Sequence, residues 1–472
     1  MTLVLAFGLI LVLFRVLYVL FYPLDLTPEE AQYWDWSRHL DLSYYSKPPM
    51  VAYMNYLTNA LFGTSELSVR ITPIVLSFLL SVFSYFFVKE VFDRRSALVM
   101  ATLPQLTVGF GINSVLMTTD APFVFFWSLS VMVLFFAFER NSLRLWLLAG
   151  LLGGLAFLSK YPALFLLPCA LLFGLFYRRE LFKSPKPYSS LLPALLLSLP
   201  VLYWNYEHHF VSFRHVSALA SKSASLPNFQ SLLEFLGGQA LLLSLISFLL
   251  MPQLWLSSIR DRKKGFFVMF SLPVFVFFLV LSMFKRVEAN WAGFGYFALF
   301  VLLSVHLSKS RLLLPTYLVS GFLFLLLHFT PLLDLVGLGG LLPPKRDPAK
   351  VGVGWSELGL AVSQLRKSQE KIVSPHYQIS AELAFYVEGN PRTFCINLGR
   401  RMNQYDLWSK DYQGDAIFVD YVPIDQRVLS ASDGIIEARE VSVRWRGQEV
   451  RKFYLYRLKN LRKVEESMPG SY

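Results

Sequence analysis

Asp25, Glu29, Glu30, Asp35 and Asp41 follow directly on an apolar stretch, residues 3–22, that is long enough to cross a bilayer and carries one charge, Arg15. Carboxylates this close to a membrane are costly unless they are paired or used. Tyr33, Trp34 and Trp36 lie among them, and Tyr44-Tyr45-Ser46-Lys47-Pro48-Pro49 comes next. One acid can take a proton from an acceptor hydroxyl. A cation can hold a phosphate leaving group as negative charge develops on it. Acids and cations around one outer-face site suit transfer from a phosphate-bearing lipid.

Four more polar groups sit at the ends of apolar stretches. Asp120 opens one stretch within Met117-Thr118-Thr119-Asp120-Ala121-Pro122, where a carboxylate favours a helix N-terminus. Lys160 lies between two stretches, placed either to snorkel to the interface or to face an anionic headgroup. Residues 204–215 include Asn205, Glu207, His208, His209 and His215. Their spacing matches no standard zinc motif, so no metal site is expected. Lys285-Arg286-Val287-Glu288-Ala289-Asn290-Trp291 places two adjacent cations on a side otherwise poor in them, which suggests phosphate binding. The candidate substrate contacts are Tyr33, Tyr45, Asp120, Asn205, His208 and Asn290, and the candidate phosphate ligands are Lys47, Lys160, Lys285 and Arg286.

The elements that must position these residues are membrane helices. The chain has 472 residues, 43 of them Phe, and is 16% charged, against roughly 25% in soluble domains. About eleven spans of ~20 residues are expected, near 3–22, 67–88, 96–112, 117–138, 145–159, 161–177, 188–204, 232–252, 265–284, 291–307 and 312–332. The first is too long for a signal-peptide core and is read as a retained helix. With the N-terminus in the cytoplasm, most basic residues of this half fall in cytoplasmic loops, and the acid-rich first loop falls outside. The net charge of +12 then reflects positive-inside topology and anionic lipid, with no nucleic acid implied. The expected organisation is a transmembrane domain over 1–336 with outer loops at 23–66 and 205–231. A linker at 337–344 and an outer α/β domain over 345–472 follow. In that domain, helices are expected at 355–369 and 379–388, and strands at 371–374 and 415–421. Cys169 and Cys395 are too far apart in character to suggest a disulfide.

Within the first loop, Thr27 reads as an N-cap, Pro28 as the first helical residue and Glu30 as the third, a capping box. That uses Glu30 for the cap and leaves Glu29 free to face a site, so both carboxylates stand as candidate bases. No Gly-rich nucleotide loop is present, which argues against a nucleotide-sugar donor or ATP-driven transport.

The chain resembles the GT-C fold membrane glycosyltransferases of the protein O-mannosyltransferase group, in the bacterial branch with the lipid A aminoarabinose transferases. The resemblance rests on Pro28-Glu29-Glu30-Ala31-Gln32-Tyr33-Trp34-Asp35-Trp36-Ser37, the Tyr44–Pro49 run, Thr119–Pro122, Ser159–Tyr161, Trp204-Asn205, Gln239 and Glu288–Trp291. In the tail it rests on Gly354–Leu358, Tyr377-Gln378, Glu382–Tyr386 and Gln404–Trp408. It implies inverting transfer of a sugar from a polyprenyl-phosphate donor on the periplasmic face of a bacterial inner membrane. The acceptor would be lipid A, lipopolysaccharide core or another envelope glycan, with protein as the alternative. It also implies that the first acid of the pair, Glu29, is the base. The aminoarabinose branch carries an acid linked to metal binding where this chain has Ser46, so no cofactor is expected, with a divalent metal as the alternative. The rival reading, a non-catalytic transporter of lipid-linked sugars, would call for ionisable groups mid-span or broken helices in matching halves.

Overall fold

The computed structural model describes residues 1–221, 227–367, 369–408 and 410–467; residues 222–226 of the expected outer loop 205–231 lie outside the described residues. Among the described residues, six helices are long and apolar enough to span a membrane: Thr2–Phe21, Glu66–Val91, Asp120–Arg140, Pro187–Glu207, Arg262–Ser282 and Ala289–Leu307. Phe229–Leu243 and Leu245–Ser258 make a seventh if the pair, bent by 103°, is one span. The bend falls at Ser244, whose φ of 70° is left-handed. Leu143–Ser159, Tyr161–Tyr177 and Leu313–His328 are apolar but shorter. The expected span at 96–112 is broken into Arg94–Thr102, a turn at Pro104–Leu106, and Val108–Asn113. Pro104 lacks the backbone N–H that would continue the helical ladder, which explains the break.

Aromatic packing holds the bundle. Phe87, Phe135, Phe138, Phe173, Phe266 and Phe267 form a buried network of T-shaped and stacked rings, as ring quadrupoles favour. Arg15, inside the first helix, is buried and donates to Ser77 Oγ at 2.8 Å and Gln105 Oε1 at 2.9 Å, so an otherwise costly charge is hydrogen-bonded. At Gly150 a Cβ would fall 1.8 Å from the Ser190 carbonyl, so only glycine allows this helix approach.

The C-terminal part is a small α/β unit. Its five strands are β1 (Lys371–Ser374), β2 (Thr393–Cys395), β3 (Gly414–Asp420), β4 (Ile435–Trp445) and β5 (Gln448–Leu461), in the order β2-β1-β3-β5-β4. β1 pairs in parallel with β2 and β3, while β5 is antiparallel to β3 and β4. Helix Tyr377–Tyr386 makes the crossover from β1 to β2. Arg446 and Gly447 turn β4 into β5 with φ of 48° and 78°, the left-handed pair a two-residue hairpin needs. The expected strands match β1 and β3, and the expected helices match Trp355–Leu365 and Tyr377–Tyr386 to within a few residues. The long β4–β5 hairpin is additional. Both cysteines are free and buried.

This unit docks on the first loop, residues 23–66. Asp25 Oδ2 accepts from Trp355 N–H at 2.7 Å and Ser356 N–H at 3.1 Å, capping helix Trp355–Leu365 from the other half of the chain. Tyr386 Oη accepts from Leu26 N–H at 2.6 Å and donates to Glu66 Oε1 at 2.5 Å. Trp34 meets Phe385 edge-on, with centroids 4.9 Å apart.

Glu382 lies in that interface, buried, with both carboxylate oxygens lacking a hydrogen bond. Burial, with the Asp25 and Glu30 charges, pushes its pKa well above the usual range, and Arg451 and Arg70 offset this only in part. A pKa raised on folding costs nothing below the unfolded value, where both states are protonated. As pH climbs through the carboxylate range, only the unfolded chain ionises, and stability is lost until pH passes the folded pKa. Thermal unfolding of detergent-solubilised protein should therefore show stability falling as pH rises through and above the ordinary carboxylate range, and Glu382→Gln should flatten that fall. An unchanged profile in the variant would count against the assignment.

Candidate active site

The site begins with the cap of helix Pro28–Ser37. The Thr27 hydroxyl accepts from Glu30 N–H at 3.4 Å, and the Glu30 carboxylate accepts from Thr27 N–H at 2.9 Å, completing the capping box. The same carboxylate receives Arg70 Nε at 3.0 Å, Arg70 Nη2 at 2.9 Å and Met117 N–H at 3.0 Å. Arg70 also donates to the carbonyls of Leu24 and Asp25. Burial alone would raise the Glu30 pKa. The Arg70 charge and the converging N–H donors outweigh burial and hold it below the usual carboxylate range. Glu30 is thus a buried anion with its oxygens occupied, and it fixes the start of the loop helix against span Glu66–Val91.

Three more acids of the loop are also partnered. Asp25 caps helix Trp355–Leu365. Asp35 accepts from Tyr405 Oη at 2.7 Å and lies 3.5 Å from Arg38. Asp41 accepts from Trp204 Nε1 at 2.7 Å. Glu29 differs. It is exposed, and among the described residues it has no hydrogen bond or ion pair. Its charge raises the pKa of Tyr33 and Tyr377 and opposes the lowering at Lys47.

Lys47 is partly buried; its carbonyl accepts from Tyr44 N–H at 3.1 Å, but its ammonium has no hydrogen-bonding partner among the described residues. Burial lowers its pKa, the Lys160 charge lowers it further, and Glu29 and Asp120 oppose the shift. A desolvated, unpaired ammonium gains by taking an anion. Lys160 is committed elsewhere. Its Nζ lies 2.5 Å from Asp120 Oδ1, and Asn290 Nδ2 donates to Asp120 Oδ2 at 2.9 Å. Asp120 thereby ties together the start of helix Asp120–Arg140, the end of Leu143–Ser159 and the turn Ala289–Gly295. Tyr33 is buried beside this clamp, with its hydroxyl bonded to Thr119.

Tyr45 donates its N–H to Gln404 Oε1 at 2.6 Å, and its ring lies 4.9 Å from that of His215. Burial, with the Arg401 and Lys47 charges, lowers the His215 pKa to about 4, so the imidazole is neutral at pH 7. The structure thus brings together Glu29, Tyr33, Tyr45, Lys47, Asp120, Lys160 and Asn290. Other expected site residues have other surroundings. Asn205 is buried and bonds Val201 O and Ser212 N–H, closing the turn after its helix. His208 stacks on Trp204 at 3.9 Å and bonds the Trp204 carbonyl. Lys285 sits over Trp291 at 5.7 Å, and Arg286 is exposed 3.5 Å from Glu288.

Arg70 and Arg401 are the neighbours the sequence reading passes over. An arginine inside an apolar span is itself a signal, since such charges are paired or functional; Arg401 carries no such signal. Among the described residues no group of three His, Cys, Asp or Glu side chains could hold a metal ion. At the Glu29 site itself, Asp120 is already held by Lys160 and Ser46 stands beside Lys47, so the donor set does not suit one.

Residues 46–204 match the family described as dolichyl-phosphate-mannose-protein mannosyltransferase. The chain is 31% identical over 294 residues to lipid A galacturonosyltransferase RgtD of Rhizobium johnstonii, covering 61% of each chain. It is 32% identical over 213 residues to the undecaprenyl phosphate-alpha-4-amino-4-deoxy-L-arabinose arabinosyl transferase of Pseudomonas aeruginosa, covering 40% of this chain and 37% of that one. The matches thus span less than two thirds of these curated relatives. The structure of ArnT from Cupriavidus metallidurans bound to undecaprenyl phosphate superposes with a TM-score of 0.66 at 15% identity, over 98% of this chain and 99% of that one. The chain is a multi-pass membrane protein and shares its fold, the GT-C fold, with that structure. Its C-terminal α/β unit is included in that superposition.

Proposed function

We propose that this chain is an inverting glycosyltransferase of a bacterial inner membrane. It moves a sugar from a polyprenyl-phosphate donor to lipid A, lipopolysaccharide core or another envelope acceptor on the periplasmic face. One observation carries the reading: among the described residues the exposed Glu29 carboxylate and the Lys47 ammonium have no hydrogen-bonding partner, while the other acids of the loop are bonded. The similarity to lipid-linked sugar transferases supports the donor class.

In the proposed step the acceptor hydroxyl attacks the anomeric carbon from the side opposite the phosphate. Glu29 takes the hydroxyl proton as the new C–O bond forms. The bond from the anomeric carbon to the phosphate oxygen breaks, the configuration inverts, and polyprenyl phosphate leaves with the added negative charge. Lys47 faces that charge where burial strengthens the interaction. The Asp120–Lys160–Asn290 clamp holds the floor of the site, and Tyr33 and Tyr45 line it. If the acceptor is itself a phosphate or carboxylate, no proton need be removed, and Glu29 positions the acceptor.

The family match to protein mannosyltransferases favours a protein acceptor as the second reading. Mass spectrometry of envelope lipids and glycoproteins decides between them, comparing the native host with a deletion strain and its complement. Loss of a sugar-sized mass from lipid A or core, restored by the wild-type gene, supports the first reading. Loss from a glycoprotein supports the second. No glycan change would move a transport role ahead of both.

A further inference from the structure

Arg401 belongs to the C-terminal unit and adjoins Met402, which packs against Tyr45, Trp204 and Val211 of the membrane half. It is exposed, and among the described residues its guanidinium has no hydrogen bond or ion pair. Its charge acts on His215, from the loop after span Pro187–Glu207, and on Tyr377, on which the Glu29 charge also acts. His215 feels Lys47 as well, so both cations act on one neutral imidazole, whose ring lies 4.9 Å from that of Tyr45.

The position of Arg401 is fixed by its neighbours rather than by its own side chain. Arg400 is locked by Asp406 at 2.7 and 3.1 Å and by the carbonyls of Pro375 and Arg401 at 2.9 and 3.0 Å. Met402 and Leu407 pack against Tyr45, Trp204 and Val211. Gln404 bonds the backbone of Tyr45. A cation held on a rigid segment with its donors unused is pre-organised for an oxyanion.

A polyprenyl-phosphate sugar carries one negative charge at the phosphate, and Lys47 is placed for it. We propose that Arg401 is a second anion-recognition residue of this site, supplied by the C-terminal unit, which takes a substrate oxyanion other than the donor phosphate. That oxyanion is a carboxylate on the transferred sugar, making the donor a uronic acid, or a phosphate on the acceptor. The inference rests on the transferase reading and adds a specificity element to it. It also gives the C-terminal unit a part in substrate selection.

The test uses the full-length protein in liposomes with two donors, polyprenyl-phosphate galacturonic acid and polyprenyl-phosphate galactose. Each is paired with lipid A bearing or lacking its phosphates. Arg401→Gln should raise KM by about tenfold to a hundredfold for the substrate that carries the oxyanion, and Arg401→Lys should recover part of it. A loss confined to the uronic donor assigns the sugar carboxylate, and a loss confined to phosphorylated lipid A assigns the acceptor. An equal loss, or none, across all four combinations overturns the role of Arg401 and leaves the transferase reading standing. If the wild type turns over no combination, that reading falls. Binding of the two donors and the two lipid A forms to the same liposomes, with and without Arg401→Gln, then decides the anion site by the same criterion.

Discussion

Glu29→Gln should lower kcat by about a hundredfold to ten-thousandfold with a hydroxyl acceptor, the range that a positioned general base supplies. KM for the donor should change little. The amide keeps the shape and polarity of the side chain but cannot take the proton. The expected loss is clean because Glu29 anchors nothing: it has no partner among the described residues, so its replacement strands no buried donor. The variant should reach the membrane, extract and unfold like wild type. A folded Glu29→Gln protein with wild-type kcat would remove Glu29 as the base.

The second large effect is on stability. Arg70→Met should destabilise the protein by about 3–5 kcal/mol, the cost of leaving a buried charge uncompensated. It strands the Glu30 carboxylate and the carbonyls of Leu24 and Asp25 in a site closed to water. Glu30→Gln alone should also destabilise, by leaving the guanidinium without its counter-charge. The double variant Arg70→Met with Glu30→Gln should be more stable than the sum of the singles, because the two residues act as one unit. Thermal unfolding in detergent reads all three. Additive losses would mean that the pair is not the anchor of the loop. The contrast with Glu29 is useful: adjacent glutamates should separate into one variant that is folded and inactive and one that is unstable.

How much of this was legible in the sequence follows from the range of the interactions. The capping box of Thr27 and Glu30, with Pro28 leading the helix, is local, and it was read from four adjacent residues. The β1 and β3 strands and the two helices of the C-terminal unit were readable from short apolar patterns. The β4–β5 hairpin was not, because its β4 strand is largely exposed and rich in charges, so no clean alternation marks it. In the sequence Asp120 reads as a helix cap or a substrate contact, and Lys160 as a snorkelling or headgroup-facing cation, each without reference to the other. The structure pairs them across forty residues, and one sequence contains no signal for that. Arg70 met Glu30 at the same distance in sequence, and its place inside an apolar span was the available clue. The resemblance to membrane glycosyltransferases was carried by short motifs spread along the chain. Most of them fall on the loop, the clamp and the docking contacts, so the positions that carry the likeness are those that build the site.

The most direct test of the central claim is a transfer assay with the purified full-length chain in liposomes. A polyprenyl-phosphate sugar is labelled with carbon-13 at the anomeric position and supplied with lipid A, and the products are read by nuclear magnetic resonance. The account predicts that the label appears on the acceptor with inverted configuration, accompanied by an equal amount of free polyprenyl phosphate. Retention of configuration would contradict the single displacement assisted by Glu29. Absence of transfer by the folded protein to any lipid A, core or protein acceptor would contradict the account as a whole.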